Sequence, residues 1–332
     1  MPNKRAVLIL LSCPILLVFG TFLSISYGAA IISFQDVGHA IFHYDSTHIT
    51  DNIIITSRLP RALGAVIIGL LLAVSGAIMQ GVTRNYLASP SIMGVSEGSA
   101  FFVTLAIIFV TASSLGLMLF SFVGSLAAIA LVFGIAKIAP NGFQPVRLAI
   151  IGIVIGTFFS SLAAGLAHFF QISQSVSFWY NARLDKLDMG DVYLILPFAC
   201  IGLIMAILLS KTVTILSLGE ETAAGLGTRP ALIRTAAMLA VAVMTGSAVA
   251  IGGNVAFIGL VIPHIARYLV GTDYRWIIPC SGLLGGVFLC FADILSRFVN
   301  YPYETPVTIV ISVICIPFFI YLVYRKGGAP GV

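Results

Sequence analysis

Residues 61–80 of the 332-residue chain read RALGAVIIGLLLAVSGAIMQ, twenty residues in which Arg61 is the only charged side chain. A helix of about twenty apolar residues is about 30 Å long, which is the thickness of the hydrocarbon core of a bilayer. In lipid, a helix also satisfies all of its own backbone groups. This stretch therefore predicts a transmembrane helix, and it decides the fold class.

Nine further apolar stretches are similar to it. They run over residues 6–29, 93–111, 115–136, 146–170, 192–210, 231–251, 253–270, 277–296 and 306–324. The pattern predicts an all-α polytopic membrane protein with about ten transmembrane helices, forming a single transmembrane domain over residues 1–332. A glycine turn at residues 252–254 is expected to separate the seventh and eighth spans.

The composition agrees with this class, because 59% of the residues are hydrophobic and only 9% are charged. A soluble globular domain is about 25% charged. A soluble enzyme, a disordered chain and a nucleic-acid-binding protein are therefore excluded. Each of the five cysteines lies in or next to an apolar stretch and none forms a CxxC pair, so we expect small buried side chains and no metal site.

The basic residues predict the orientation. An even number of spans places both termini on one side. If that side is the cytoplasm, 12 of the 17 Lys and Arg residues lie in inner segments, which favours cytoplasmic termini. The outer basic residues are Arg58, Arg61, Arg183, Lys186 and Arg297.

Several motifs bear on chemistry. No lysine follows a glycine, so the GxxxxGK[ST] phosphate loop is absent, and energy must come from a partner chain or an ion gradient. Gly94–Gly98 matches G-x-S-x-G, but it opens a membrane helix where a nucleophile elbow needs a preceding strand, so we expect no nucleophile at Ser96. The histidines of the first outer loop, His39, His43 and His48, lack a metal-binding motif.

Two carboxylates, Glu97 and Asp293, lie inside predicted spans, where a charge costs roughly 2.5–3.5 kcal/mol. They could form a relay for protons or ions, or they could be hydrogen-bonded locks on helix ends, which we favour. In the fifth span, Gly152, Gly156 and Ser160 recur at every fourth position and allow close helix approach. This spacing fits internal packing, a dimer seam or a pathway wall, and the sequence leaves these open.

Blocks of sequence in both halves resemble one family. They are RLPR at 58–61, AVSGAIMQ at 73–80, RNYLASPSIMGVS at 84–96, FIGLVIPHIAR at 257–267, DILSR at 293–297 and ETP at 304–306. Their order and spacing resemble the FecCD family, the membrane permeases of ABC importers for iron–siderophore complexes, haem and cobalamin. The family usually has Asn-Pro-Leu-Ala where this chain has Tyr86. That variant is similar to permeases for catecholate, bacillibactin-type siderophores in Gram-positive bacteria.

The resemblance implies a multi-pass permease of the cell membrane that is not an enzyme. Its implied cargo is a ferric siderophore of the catecholate type, with hydroxamate siderophores, haem and cobalamin as alternatives. An ion-coupled secondary transporter is the alternative from another class. The implied partners are a second permease, with a heterodimer favoured, an extracellular substrate-binding lipoprotein and an ABC ATPase. The chain itself is expected to hold no cofactor, while ATP and Mg²⁺ bind the ATPase.

The resemblance also implies two contact regions. Arg58, Arg61 and Arg297 would dock the binding protein, although they could instead anchor helix ends. Residues 211–230 would form a cytoplasmic coupling segment with one or two helical turns. Its implied ATPase contacts are Ser217, Leu218, Gly219, Glu220, Leu226 and Gly227. The pathway would run chiefly along the fifth and tenth helices.

Overall fold

A computed structural model of the chain describes residues 4–28, 32–110, 113–140, 144–180, 184–301 and 303–326. Arg183, one of the predicted outer basic residues, lies outside these ranges. Within them every regular element is helical. The α-helices are α1 (Lys4–Ser26), α2 (Phe34–Phe42), α3 (Ile49–Ile53), α4 (Leu59–Thr83), α5 (Val95–Phe109), α6 (Ser114–Ile138), α7 (Pro145–Phe169), α8 (Ser173–Tyr180), α9 (Met189–Ser217), α10 (Glu220–Gly225), α11 (Pro230–Gly252), α12 (Ile258–Val270), α13 (Tyr274–Phe298) and α14 (Val307–Lys326). A π-helical turn, Ile54–Arg58, joins α3 to α4.

Ten of these helices match the ten predicted spans, and the all-α polytopic fold is confirmed. Seven are long and apolar enough to cross a membrane, and α5, α12 and α14 hold shorter apolar segments. The 15 residues of α5 and the 13 of α12 reach about 22 and 20 Å at 1.5 Å per residue. Both are therefore shorter than the hydrocarbon core of about 30 Å.

The eighth span begins later than the sequence predicts. Gly253 ends α11 with a φ of 72°, and residues 253–257 are not helical. Phe257 has a φ of 67° and directly precedes α12. Left-handed backbone at both positions interrupts a right-handed helix, so α11 and α12 are separate.

The centre of the bundle is α4, which packs against α9, α11, α12 and α13 and has most of its residues buried. A helix that is apolar all round is expected in such a central position. It packs tightly against α13, because an added Cβ on Gly69 would collide with the carbonyl oxygen of Gly285. The two backbones therefore touch, as small residues permit in membrane helices.

Candidate functional site: two polar clusters at opposite ends of α4

A cluster of charged side chains joins the start of α4 to the end of α13. Arg61 donates from Nε and Nη2 to Asp293 Oδ1 at 3.0 and 2.9 Å. Its Nη1 donates to both oxygens of Glu304 at 2.8 Å. Asp293 also accepts a hydrogen bond from Arg297, one helical turn later. The Asp293 side chain is 1% exposed and that of Glu304 47% exposed, so the buried carboxylate is the one bound by two arginines.

Other arginine donors of the cluster cap α1, whose last carbonyl groups have no partner within the helix. Arg58 Nη1 donates to the carbonyl oxygens of Ile25 and Ser26 at 2.6 and 3.1 Å. Arg297 Nη1 donates to the carbonyl oxygen of Ser24 at 2.7 Å. Positive charge at a helix C-terminus also interacts favourably with the helix dipole. These arginines therefore fasten the end of α1 to α4 and α13.

The structure brings together all three arginines that the resemblance assigns to docking. Arg58, Arg61 and Arg297 are only 8%, 9% and 6% exposed. This is the geometry of side chains that anchor helix ends. Asp293 likewise forms the lock that we favoured from the sequence. The i,i+4 spacing of Asp293 and Arg297 was a signal in the sequence for this pair, which we did not predict.

A second polar cluster, built around Arg267 of α12, lies at the other end of α4. Arg267 Nη2 donates to Tyr274 Oη at 2.6 Å and to Gln80 Oε1 at 3.3 Å. Its guanidinium carbon lies 4.0 Å from the ring centroid of Tyr86, a cation–π contact. In the sequence, Tyr86 stands out only as a departure from the family pattern. The structure shows that its ring covers a partly buried arginine.

The two clusters are separated by the length of α4. Arg61 belongs to the first cluster and Gln80 to the second. At 1.5 Å per residue, they lie about 28 Å apart along the helix. This is close to the thickness of the hydrocarbon core. The clusters therefore lie at opposite faces of the membrane.

The segment between α9 and α11 lies on the face of the Arg267 cluster. Thr214, in the last turns of α9, accepts a hydrogen bond from the Tyr274 backbone N–H at 2.9 Å. It donates to Asp273 Oδ1 at 3.2 Å. Asp273 caps α13 by accepting from the Arg275 backbone N–H at 3.0 Å, and hydrogen bonding by the Arg275 side chain lowers the pKa of Asp273. The end of α9 is thus fixed to the start of α13.

A short helix, α10, occupies the middle of this segment and provides the predicted helical turns. Glu220, its first residue, accepts a hydrogen bond from Arg234 of α11. Gly219, before it, has a φ of 129°, which favours glycine. Leu218 and Leu226 flank α10 and are 66% and 61% exposed. Two large apolar side chains therefore project from this face. Ser217 ends α9, and Gly227 follows Leu226.

The small residues of α7 pack inside the chain. Gly94, with a φ of 72°, precedes α5, and a Cβ on it would lie 2.8 Å from the Gly156 nitrogen. A Cβ on Gly152 would lie 2.7 Å from the Met93 Cα atom. Internal packing, one of the open explanations, thus accounts for Gly152 and Gly156. Ser160 donates to the Thr157 carbonyl oxygen at 3.1 Å and lies at the edge of an exposed face.

Glu97 lies in the first turn of α5 and faces this contact, since a Cβ on Gly156 would lie 3.7 Å from its Oε2 atom. The side chain of Asn254 hydrogen-bonds with the carboxyl group. Glu97 Oε2 and Asn254 Oδ1 are buried and have no partner among the described residues. The N-terminal end of α5 provides the positive dipole that favours a carboxylate here.

The other sequence motifs have local contacts. Ser96 is 1% exposed, and its Oγ lies 3.3 Å from Ser91 Oγ. His39 Nδ1 lies 3.2 Å from Asp51 Oδ2. In the part of the chain that the structure describes, no group of three or more His, Cys, Asp or Glu side chains is placed to hold a metal ion.

Known proteins are similar to this chain in sequence and in fold. The profile of the FecCD transport family matches residues 16–325. The iron-uptake system permease protein FeuB of Bacillus subtilis is 52% identical over 97% of this chain and 96% of its own length. The iron(3+)-hydroxamate import system permease protein FhuB of the same organism is 48% identical over 97% of this chain and 84% of its own.

A solved structure shares the whole architecture. It is a metal-chelate type ABC transporter in an inward-facing conformation. It superposes with a TM-score of 0.82 at 30% identity, covering 96% of this chain and 99% of that one. The sequence resemblance is therefore confirmed, and the hydrolase and the secondary transporter are excluded as alternatives. The chain belongs to the FecCD transport family and is an integral membrane permease subunit of an ABC transporter, not an enzyme.

Proposed function

We propose that this permease subunit of an ABC importer for iron chelates carries a ferric siderophore of the catecholate type into the cytoplasm. The relatives support an iron chelate, since they are named for iron uptake and iron(3+)-hydroxamate import. The catecholate type rests on the resemblance of RNYLASP at residues 84–90. Hydroxamate siderophores, haem and cobalamin are the alternative cargoes.

The main structural support for a transport function is the position of two polar faces, which lie about 28 Å apart along α4. We assign the face of Arg58, Arg61 and Arg297 to the outside of the cell membrane, and the face of α10 to the cytoplasm. Both termini are then cytoplasmic, which agrees with the excess of basic residues in inner segments. The chain as a whole forms one transmembrane domain.

The outer face is the proposed docking site of an extracellular substrate-binding lipoprotein. Arg58, Arg61 and Arg297 hold α1, α4 and α13 in register below it, and Glu304 reaches the surface. Tyr301 and Tyr303 beside the cluster are 61% and 73% exposed, and aromatic residues are enriched at interfaces. In this arrangement a docked protein contacts the exposed residues Tyr301, Tyr303 and Glu304 and acts on the helix ends through the arginines.

The inner face is the proposed contact with the ABC ATPase. This contact is formed by Ser217, Leu218, Gly219, Glu220, Leu226 and Gly227. Exposed Leu218 and Leu226 can enter a groove of the ATPase, while Glu220 ties α10 to α11 through Arg234. ATP and Mg²⁺ bind the ATPase, and this chain holds no cofactor. Closure of the ATPase shifts the equilibrium between two conformations of the bundle only by the difference in the ATPase's affinity for them.

A second, different permease subunit is proposed to complete the pathway along the fifth and tenth spans, α7 and α14. The outer side of α7 presents Ile153, Val154 and Phe158, which are 54%, 60% and 52% exposed. Ser160 lies at the edge of this surface. This surface of α7 is the proposed dimer seam or pathway wall. Behind it, the buried residues Gly152 and Gly156 pack α7 against the rest of the chain.

Uptake of radioactive iron tests the cargo. Cells lacking the gene are expected to lose uptake of a ferric catecholate and to regain it on complementation. Normal catecholate uptake with loss of ferric hydroxamate uptake would contradict the catecholate assignment. A photo-crosslinker at Tyr303 should capture the binding protein, whereas one at Leu226 should capture the ATPase. The reverse pattern would contradict the orientation.

A further inference from the structure

A groove of about 660 Å³ runs between α6 and α11. Its lining residues recur at three- and four-residue intervals, so they form one stripe on each helix. On α6 they are Leu126, Ile129, Ala130, Phe133, Gly134 and Lys137. On α11 they are Ala231, Arg234, Thr235, Met238 and Leu239.

The groove exists because the two helices touch at one end and separate at the other. Ser121 Oγ of α6 donates to the Gly246 carbonyl oxygen of α11 at 2.7 Å, and the Phe122 ring packs on Gly246. Towards the other end of α6, an added Cβ on Gly134 would meet no atom within 4 Å. Gly134 therefore borders the open part of the groove.

The groove has the length and polarity of one lipid leaflet. From Leu126 to Lys137 it extends about 16 Å along α6, which is about half of the hydrocarbon core. Its walls are apolar except towards the end nearest α10, where Lys137, Arg234 and Thr235 lie. Basic side chains at the membrane surface between transmembrane helices attract anionic headgroups, while an apolar cleft accepts an acyl chain.

We propose that this groove is a binding site for an anionic phospholipid of the leaflet on the α10 side. Its acyl chain lies against Phe133, Gly134 and Met238, and its phosphate lies between Lys137 and Arg234. Because Arg234 also pairs with Glu220, the bound headgroup acts next to the proposed coupling helix. The phospholipid would bind at this site whichever cargo the transporter carries.

The test uses the assembled transporter in nanodiscs and detergent, with phosphatidylglycerol as the probe and phosphatidylcholine as the neutral comparison. Native mass spectrometry should show selective retention of phosphatidylglycerol. Lys137→Gln should weaken it about fivefold by removing one of the two basic contacts. Gly134→Leu should abolish it by filling the groove. Lys211→Gln, at an exposed lysine of α9, and Gly165→Leu, at an open glycine of α7, are the matched controls and should retain the lipid.

Equal retention by Lys137→Gln and Lys211→Gln would overturn the proposal, and this comparison holds even if Gly134→Leu fails to fold. Equal retention of the neutral and anionic lipids would also overturn it. If a partner subunit covers the groove instead, the assembled transporter will retain no phosphatidylglycerol there, and the proposal fails.

Discussion

Arg61 and Asp293 lie 232 residues apart in the sequence and are joined by two Arg61 donors at 2.9 and 3.0 Å from one Asp293 oxygen. This ion pair links the first turn of α4 to the last turns of α13. Breaking a buried ion pair on one side leaves an uncompensated charge, which costs roughly 3–5 kcal/mol. The free energy of unfolding should therefore depend strongly on Asp293.

We expect Asp293→Ala to lower the free energy of unfolding by about 3–5 kcal/mol, because both Arg61 and Arg297 lose their shared carboxylate. Glu304→Gln is the comparison in the same cluster. Its side chain is 47% exposed, so its loss should cost at most about 1 kcal/mol. Denaturation of the purified chain measures both. Equal losses would show that burial does not set the strength of this cluster.

Charge reversal of Arg61 distinguishes a structural role of this buried arginine from direct contact with the binding protein. Arg61→Glu would place a third carboxylate beside Asp293 and Glu304. We expect this variant to fail to accumulate in the membrane, because like charges at short range repel strongly in a low dielectric. Immunoblotting of membrane fractions checks this. Normal accumulation with lost delivery would instead indicate direct docking by the arginine.

Glu220→Ala should impair coupling without destabilising the fold. The Glu220 side chain is 44% exposed, and partly exposed ion pairs contribute about 0–1 kcal/mol. Release of α10 from Arg234 should nevertheless reduce ATPase stimulation by loaded binding protein in proteoliposomes. Glu221→Ala changes the neighbouring exposed carboxylate and is the matched control. If both variants are stimulated like the unchanged transporter, the assignment of Glu220 to coupling is wrong.

The ring of Tyr86, and not its hydroxyl group, should stabilise Arg267. Tyr86→Phe retains the cation–π contact at 4.0 Å, whereas Tyr86→Ala removes it and should lower the free energy of unfolding by about 0.5–1 kcal/mol. Thermal melts of both variants measure this difference. A loss in Tyr86→Phe as large as in Tyr86→Ala would assign the effect to the hydroxyl group.

Gly94→Ala and Gly165→Ala should have opposite effects. Gly94 has a φ of 72°, and its added Cβ would lie 2.8 Å from the Gly156 nitrogen, so alanine should destabilise the α5–α7 contact. Gly165 lies inside α7 with open space around it, and alanine there should stabilise the helix by about 0.5–1 kcal/mol. Melting temperatures of the two variants compare them directly. A neutral Gly94→Ala would show that the contact tolerates a shift of α7.

Ten apolar stretches, the fold class and the family could all be predicted from the sequence. The reason is that lipid requires long apolar helices, and their hydropathy is a local property of the chain. The turn after Gly252 and the helical turns of α10 were also local signals. The start of α12 at Ile258 was not, because the left-handed backbone of Phe257 depends on the packing around it.

The partners of the charged residues were decided only by the tertiary structure. Arg61 and Asp293 are far apart in sequence, so no spacing pattern indicates that α4 and α13 bring them together. The sequence could show that Arg58, Arg61 and Arg297 lie near span ends. It could not show that Arg58 and Arg297 cap α1, or that all three arginines become buried. Gly152 and Gly156 likewise had several explanations until α5 was placed against α7. The length and hydropathy of apolar runs determine which segments enter the membrane, whereas contacts between segments depend on the three-dimensional packing of the bundle.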